Sequence, residues 1–326
     1  MSGNPTDDTP ATPAVQNSED RRHYMLLFVG LAVLLVALPY LVYPVFAMKV
    51  LCFALFAVAF NLLIGYSGLL SFGHAAFFGG SAYVTAHAAK VWGLTPELAI
   101  LAGTLASAFL GLLIGALSIR RQGIYFAMVT LAFAQMVYFF ALQAPFTGGE
   151  DGIQAVPRGH LFGVLSLSND LTLYFVVAVI FMAGFLLVYR VMNSPFGRVM
   201  RAIRENEPRA ISLGYQVNRY KLLLFVLSAG IAGLAGGTKA IVFQLASLTD
   251  VAWNMSGEVV LMTLIGGMGT IFGPIVGAGI IVSLQNYLAS QGSWVTVIQG
   301  VIFVICVLAF RSGIVGVIAQ KLRINL

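Results

Sequence analysis

Four ionisable side chains fall inside long apolar stretches of this chain: His74, His87, Lys239 and Glu258. A charge inside a membrane is costly, so each marks either a functional site or a paired group. His74 and Glu258 are the candidates for proton or substrate contact. His74 also reads as a neutral imidazole bonded to a backbone carbonyl freed beside Gly73. Glu258, at the start of a short helix, is equally a favourable partner for that helix's dipole. Lys239 lies near a span end, as do Lys49 and Lys90, where a long stem can carry the ammonium to the headgroups. No His-x-x-His or Cys-x-x-Cys ligand pair, paired carboxylates or Ser-His-Asp set accompanies them, so neither a metal site nor an enzyme is indicated. Cys52 and Cys306 lie in apolar runs without neighbouring ligands and read as packing residues.

The elements that hold these residues are membrane spans. Of 326 residues, 59% are hydrophobic and 9% charged, the composition of an integral membrane protein. Apolar segments long enough to cross a bilayer occur near 25–45, 50–66, 73–91, 97–118, 123–142, 171–191, 221–243, 272–289 and 294–310. A shorter tenth lies near 256–269. The expected fold is all-α, a polytopic transmembrane helical bundle of about 10 spans, some short or broken. The segments 256–269 and 272–289, separated by glycines and Pro274, are expected to form two spans or a re-entrant hairpin.

The net charge of +6 sits between the spans, where Lys and Arg orient a membrane chain, so nucleic acid is excluded as a partner. Arg21, Arg22, Arg120, Arg121, the cluster from Arg190 to Lys221, and Arg311, Lys321 and Arg323 fall on one side of a ten-span count. That side reads as cytoplasmic, with both termini inside. Residues 1–22 are polar and Pro-rich and read as a disordered tail. The run after Arg22 is too long for a signal peptide and reads as a retained anchor. The transmembrane body spans 23–316, with a cytoplasmic loop at 193–220 and an ordered external loop at 143–170. A short tail, 317–326, ends the chain.

Small residues recur every fourth position at Ala229, Gly233 and Gly237, at Gly111 and Gly115, and at Gly269, Gly273 and Gly277, a spacing that brings helices close. Denser still is "GYSGLLSFGHAAFFGG", where Gly65, Ser67, Gly68, Ser71 and Gly73 lead into His74. A helix broken there is tolerated only beside protein or a cavity. With Glu258, Gly266 and Gly267, these residues form the expected lining of a substrate pathway. "GGMGTIFGPIVGAG" echoes the first break in placing Phe-Gly before a helix, and the echo is compatible with duplicated halves. "GMGTIFG" lies in no βαβ unit, and the chain has no P-loop.

The charged stretch "GRVMRAIRENEPRAISLGYQVNRYK", Gly197–Lys221, carries more than topology. Pro208 suits a first helical position, Asn206 or Glu207 a cap, and Gly214 a left-handed end. A short helix near 208–213 is expected, with Ala210, Ile211 and Leu213 giving it an apolar face for a protein partner.

Extended to "FGRVMRAIRENEPRAISLGYQVNRYKLLLFVLSAGIAGLAGG", this segment resembles the cytoplasmic loop and following span of ABC-importer permeases for branched-chain amino acids, of the LivM type. "NLLIGYSGLLSFGHAAFFGGSAYV", "TGGEDGI" and "LIGGMGTIFGPIVGA" are similar to further signatures of that family, and the resemblance runs from about Arg22 to Gly316. It implies a multi-pass protein of the bacterial inner membrane working with a second permease subunit, as a heterodimer, and a periplasmic substrate-binding protein. It also implies two ATP-binding subunits that hold ATP and Mg, so that this chain itself needs no cofactor. It further implies that Glu207, Ala210 and Gly214, with Arg204 and Glu205, dock into the ATPase, although Arg209 stands where the family carries alanine and Glu207 lies one position early. Thr147, Gly148 and Gly149 are expected at the external mouth. The alternatives are a related importer for urea or another small polar solute, and a secondary transporter in which Glu258 and His74 couple protons.

Overall fold

The computed structural model describes residues 13–161, 163, 165–288, 297, 298, 300, 301, 304 and 313–322. It is an all-α polytopic bundle: α1 (Pro13–Leu41), α2 (Pro44–Ser67), α3 (His74–Lys90), α4 (Pro96–Ser118), α5 (Ile124–Gln143), α6 (Asp170–Met192), α7 (Pro195–Glu205), α8 (Glu207–Ser212), α9 (Val217–Phe243), α10 (Leu248–Val251), α11 (Trp253–Gly266), α12 (Gly273–Leu288) and α13 (Gly313–Leu322). Among them α2, α4, α5, α6 and α9 are long and apolar enough to cross a bilayer. The span expected at 294–310 lies largely outside the described residues. Helix α1 begins at Pro13, so the polar residues 13–22, unstructured by composition, are its first turns. Helix α2 begins at Pro44 rather than near residue 50, because proline suits a first helical turn and drives Tyr43 into an extended conformation.

Helices α2 and α9 are the axis of the bundle, and most of their length is buried. Helix α9 lies against α3 and α4 at backbone distance. At Gly236 a side chain would strike the Phe78 carbonyl, and at Gly233 it would strike Ser107. The Ala229–Gly233–Gly237 spacing is therefore a packing face, as expected, but the tightest approach is at Gly236, outside that pattern. Hydroxyls stitch the seam: Ser81 Oγ donates to the Gly233 carbonyl at 2.6 Å, and Ser107 Oγ to that of Ala229 at 2.7 Å.

The helices alternate between two ends. At one, α8, the α4–α5 turn and the start of α9 meet, since Glu207 bonds both Gln122 and Lys221. At the other, the loop between α5 and α6 reaches the end of α9. There β1 (Ile153–Gln154) pairs with β4 (Leu245–Ala246), and a second ladder joins β2 (His160–Leu161) to β3 (Leu165–Ser166). Arg158 fastens this loop by an ion pair to Asp170 at 2.8 Å and a bond to the Val242 carbonyl at 3.0 Å. Lys90 is tied there too, donating to the Gln154 carbonyl at 2.7 Å.

After α9 the chain turns back into the bundle through α10, breaks at the extended Ala252, and continues as α11. Helices α11 and α12 then form a tight hairpin, with Gly277 against the Met262 carbonyl and Gly266 against that of Gly273. Asp250 of α10 is 2% exposed and pairs with Lys239 of α9 at 2.6 Å. The Asp250 carboxylate also accepts from the backbone and hydroxyl of Ser247. Lys239 is thus a paired interior group rather than one that reaches the headgroups. Its partner was not legible because Asp250 reads as a loop residue until the chain is seen to dip inward.

Gly236→Leu is expected to destabilise the detergent-solubilised protein by at least ~1–3 kcal/mol, the usual cost of overpacking. Gly230→Ala, whose added methyl meets Ala108 at an ordinary 3.6 Å, should leave its melting temperature unchanged. Lys239→Met should cost ~3–5 kcal/mol by stranding a buried carboxylate, and Lys239→Met with Asp250→Leu should recover most of that loss. A thermal-melting double-mutant cycle measures both.

Candidate functional site

The glycine- and serine-rich break after α2 satisfies its own backbone. Gly68 closes α2 in the left-handed conformation, φ 71°, and donates to the Ile64 carbonyl. Ser67 Oγ donates to the Leu63 carbonyl at 2.6 Å and accepts from the amide of Leu69 at 3.4 Å. Ser71 Oγ accepts from the Gly73 amide at 3.2 Å, and across the bundle Ser256 Oγ accepts from that of Ala75 at 2.9 Å. The second break, between α11 and α12, works alike: Thr270 Oγ1 donates to the Gly267 carbonyl at 2.9 Å and accepts from the Gly273 amide at 3.1 Å. Gly73 immediately precedes α3 and Gly273 opens α12, so both Phe-Gly pairs of the internal echo sit where a helix resumes.

The two breaks touch. Asn61 of α2 accepts from the Gly269 amide at 2.9 Å and donates to the Thr270 carbonyl at 2.8 Å, so one side chain clips the second turn with both ends of its amide. Gly65, one helical turn on, has no room for a side chain against Asn61 and the Gly269 backbone, and Gly267 lies against Gly313 at the start of α13. Gly65, Gly266 and Gly267 are therefore brought into one cluster by close packing.

Helix α7, which the sequence reading did not separate from the loop, delivers the basic residues to this cluster. Its Met200 and Ile203 are buried. Arg204 donates from a guanidinium nitrogen to the Gly65 carbonyl, and Arg201 lies over the Tyr66 ring, 5.6 Å from its centre. The signal for α7 was present in Ser194-Pro195, a helix entry, and in Met200 and Ile203, three residues apart. Glu205 is exposed at its end.

Helix α8 is the short helix the sequence specified. Asn206 caps it by accepting from the Arg209 amide at 3.0 Å, Pro208 lies in its first turn, and Gly214 follows it at φ 88°. Its faces divide differently from expectation. Ala210 is 3% exposed and turned inward, whereas Ile211 and Leu213 are 58% and 69% exposed. Glu207 is held by Lys221 at 2.7 Å and Gln122 at 3.1 Å, so it fixes α8 on α9 and on the α4–α5 turn. The outward surface is formed by Arg209, Ile211, Leu213 and Tyr215.

The remaining candidates lie elsewhere. His74 is fully buried, with Nε2 2.8 Å from Ser228 Oγ. The Ser228 hydroxyl donates to the Ala59 carbonyl at 2.5 Å, so the imidazole is the donor to Ser228 through Nε2–H, and among the described residues Nδ1 has no partner. The partner is a serine that joins three helices, in place of the expected carbonyl near Gly73. His87 sits in the last turn of α3 against the rings of Trp92 and Phe146. Glu258 accepts from Gln285 at 2.9 Å. It stands in the second turn of α11, because that helix begins at Trp253 rather than near 256, and the dipole account, confined to the first turn, no longer applies. Thr147 is 3% exposed and its hydroxyl caps α5 at the Ala141 and Ala144 carbonyls; Gly148 packs on Gly152, leaving Glu150 and Asp151 outward.

Comparison with known proteins bears on the family of the chain. The chain is 27% identical over 339 residues, 96% of its own length and 79% of the relative's, to the high-affinity branched-chain amino acid transport system permease protein LivM of Escherichia coli (strain K12). It has the same identity and coverage to LivM of Salmonella typhimurium. It is 29% identical to the ribose import permease protein RbsC of Bacillus subtilis (strain 168), over 55% of this chain and 58% of that one. No solved structure matches. Residues 45–308, most of the chain, match the family described as branched-chain amino acid transport system / permease component, and the protein belongs to that family.

Proposed function

We propose that this chain is the permease half of an ATP-driven importer of branched-chain amino acids, moved by ATP-binding subunits that dock on α8. The observation that carries the reading is the route from the exposed face of α8 into the bundle. Ile211 and Leu213 stand outward, Glu207 braces α8 against α9, and Arg204 of α7 grips the last turn of α2 where the two breaks meet. A partner that tilts α8 moves this junction as a unit, and helices that end in glycine turns can follow without losing internal hydrogen bonds. ATP-driven rocking between two access states would then be a population shift imposed through one contact. The basic end bearing Arg120, Arg121, Arg198, Arg201 and Arg209 is the cytoplasmic one by the positive-inside rule. The outer loop, with Glu150 and Asp151 exposed, faces the substrate-binding protein.

The substrate class follows the LivM relatives, whose similarity covers almost the whole chain, over the ribose permease, whose similarity covers about half. A second permease subunit completes the passage.

The structure shifts which substitutions are informative. Ala210→Arg and Gly214→Pro would distort the loop itself, since Ala210 is buried and proline cannot adopt the positive φ at 214. Ile211→Asp changes only the outward face and should alter the chain's own stability by no more than about 0.5 kcal/mol. It is expected to abolish co-purification of the ATP-binding subunits and leucine uptake in proteoliposomes; wild-type uptake would refute docking on α8. Arg204→Ala, which removes a hydrogen bond from a charged group (~1.5–3 kcal/mol), should leave the subunits assembled and ATP hydrolysed but cut uptake per ATP about tenfold. Unchanged uptake per ATP would mean that the α7–α2 contact transmits nothing.

A further inference from the structure

One polar group of the bundle is used neither by the packing seam nor by the junction. Glu258 on α11 and Gln285 on α12 are bonded to each other at 2.9 Å and are both partly exposed. Asn254, one turn before Glu258 on the same face of α11, and Asn286, beside Gln285, are exposed. A side chain built at Gly257 meets open space. Lys49 of α2, a helix packed against α11, is half-buried, and among the described residues no ion pair joins it to Glu258.

Depth makes this unusual. Gln285 stands 12 residues beyond Gly273 along α12, about 18 Å at the α-helical rise. Gly273 belongs to the turn at the basic end. Ser256, two residues before Glu258, bonds Ala75, next to the buried His74–Ser228 pair. With a hydrocarbon core about 30 Å thick, the group lies near the bilayer middle. A partly exposed carboxylate and amide are not left to lipid at that depth; they face water or a polar ligand inside the protein. Lys49 stands in the second turn of α2, nearer that helix's outer end, and is half-buried rather than exposed.

We infer that the α11–α12 face lines the translocation passage and that Glu258 and Lys49 receive the two charged ends of a zwitterionic amino acid. The carboxylate of Glu258, steadied by Gln285, accepts hydrogen bonds from the substrate ammonium. The ammonium of Lys49 donates to the substrate carboxylate, and Gly257 leaves the room in which the main-chain atoms sit. A carboxylate and an ammonium on packed helices that form no ion pair with each other suit a ligand that carries both charges on adjacent groups. A sugar offers neither. The assignment rests on the permease reading above and names its contact residues.

Two measurements on the assembled importer in proteoliposomes test it. First, Asn254→Cys, in a chain with Cys52→Ala and Cys306→Ala, is treated with a charged, membrane-impermeant thiol reagent. It should be labelled, and leucine with its binding protein should slow the labelling. Val179→Cys, on the outward apolar face of α6 and 68% exposed, should not react. Second, at equal amounts of assembled complex, Glu258→Gln and Lys49→Met should each cut leucine uptake about tenfold or more, the loss of one hydrogen bond to a charged group. Glu258→Asp, which keeps the charge, should recover most of the uptake, as a purely structural amide–carboxylate pair would not. If the wild-type complex takes up no leucine, the permease reading fails. If it does, but Asn254→Cys is unlabelled or Glu258→Gln transports like wild type, the passage and its contacts are wrongly assigned.

Discussion

Helix α9 can approach α3 and α4 only because it offers no side chains at the contact. Gly236 faces the Phe78 carbonyl and Gly233 faces Ser107, and any Cβ on either would push the helices apart. In lipid, where apolar surface gains little by being buried against other apolar surface, close van der Waals contact and interhelical hydrogen bonds are what hold a bundle. The Ser81 and Ser107 hydroxyls, each bonded to a carbonyl of α9, add the second of these at the same seam. The placement of α2, of the inward dip at α10 and of the hairpin α11–α12 depends on that seam staying closed.

Around this rigid centre the irregular backbone is confined and satisfied. Ser67, Ser71 and Ser256 serve the first break, Thr270 the second, and Asn61 joins them. A membrane interior has no water to complete an unmade hydrogen bond, so every departure from helix must bring its own partners. That requirement explains why serine and threonine accompany the glycines. It also changes the meaning of the glycine-rich stretch, which is a self-contained turn held against a second turn. Beside it, α11 and α12 are joined by the Glu258–Gln285 hydrogen bond.

The loop between α6 and α9 divides its labour between two short helices. Helix α7 turns Met200 and Ile203 inward and sends Arg204 to α2, while α8 keeps Ile211 and Leu213 free and is braced by the Glu207–Lys221 pair. Glu207, at the position where the family resemblance placed an ATPase contact, is engaged within its own chain. Docking would then reach the partner through the residues after it.

Much of this was legible in the linear chain. Composition and the lengths of apolar runs established a helical membrane bundle, because a bilayer imposes about 20 apolar residues on each helical crossing. The boundaries of α8 followed from Asn206, Pro208 and Gly214, because caps and a left-handed end are local backbone chemistry. The fourth-residue spacing along α9 correctly marked a close face. Partnership across distance was decided by the tertiary structure alone. Asp250 pairs with Lys239 only because the chain after α9 folds back into the bundle, and His74 meets Ser228 only because α3 starts deep against α9. Glu258 left the dipole of its helix when α11 proved to begin at Trp253. Periodicity and caps are written within a few residues of where they act, whereas a polar group at membrane depth is explained by a partner far away in sequence.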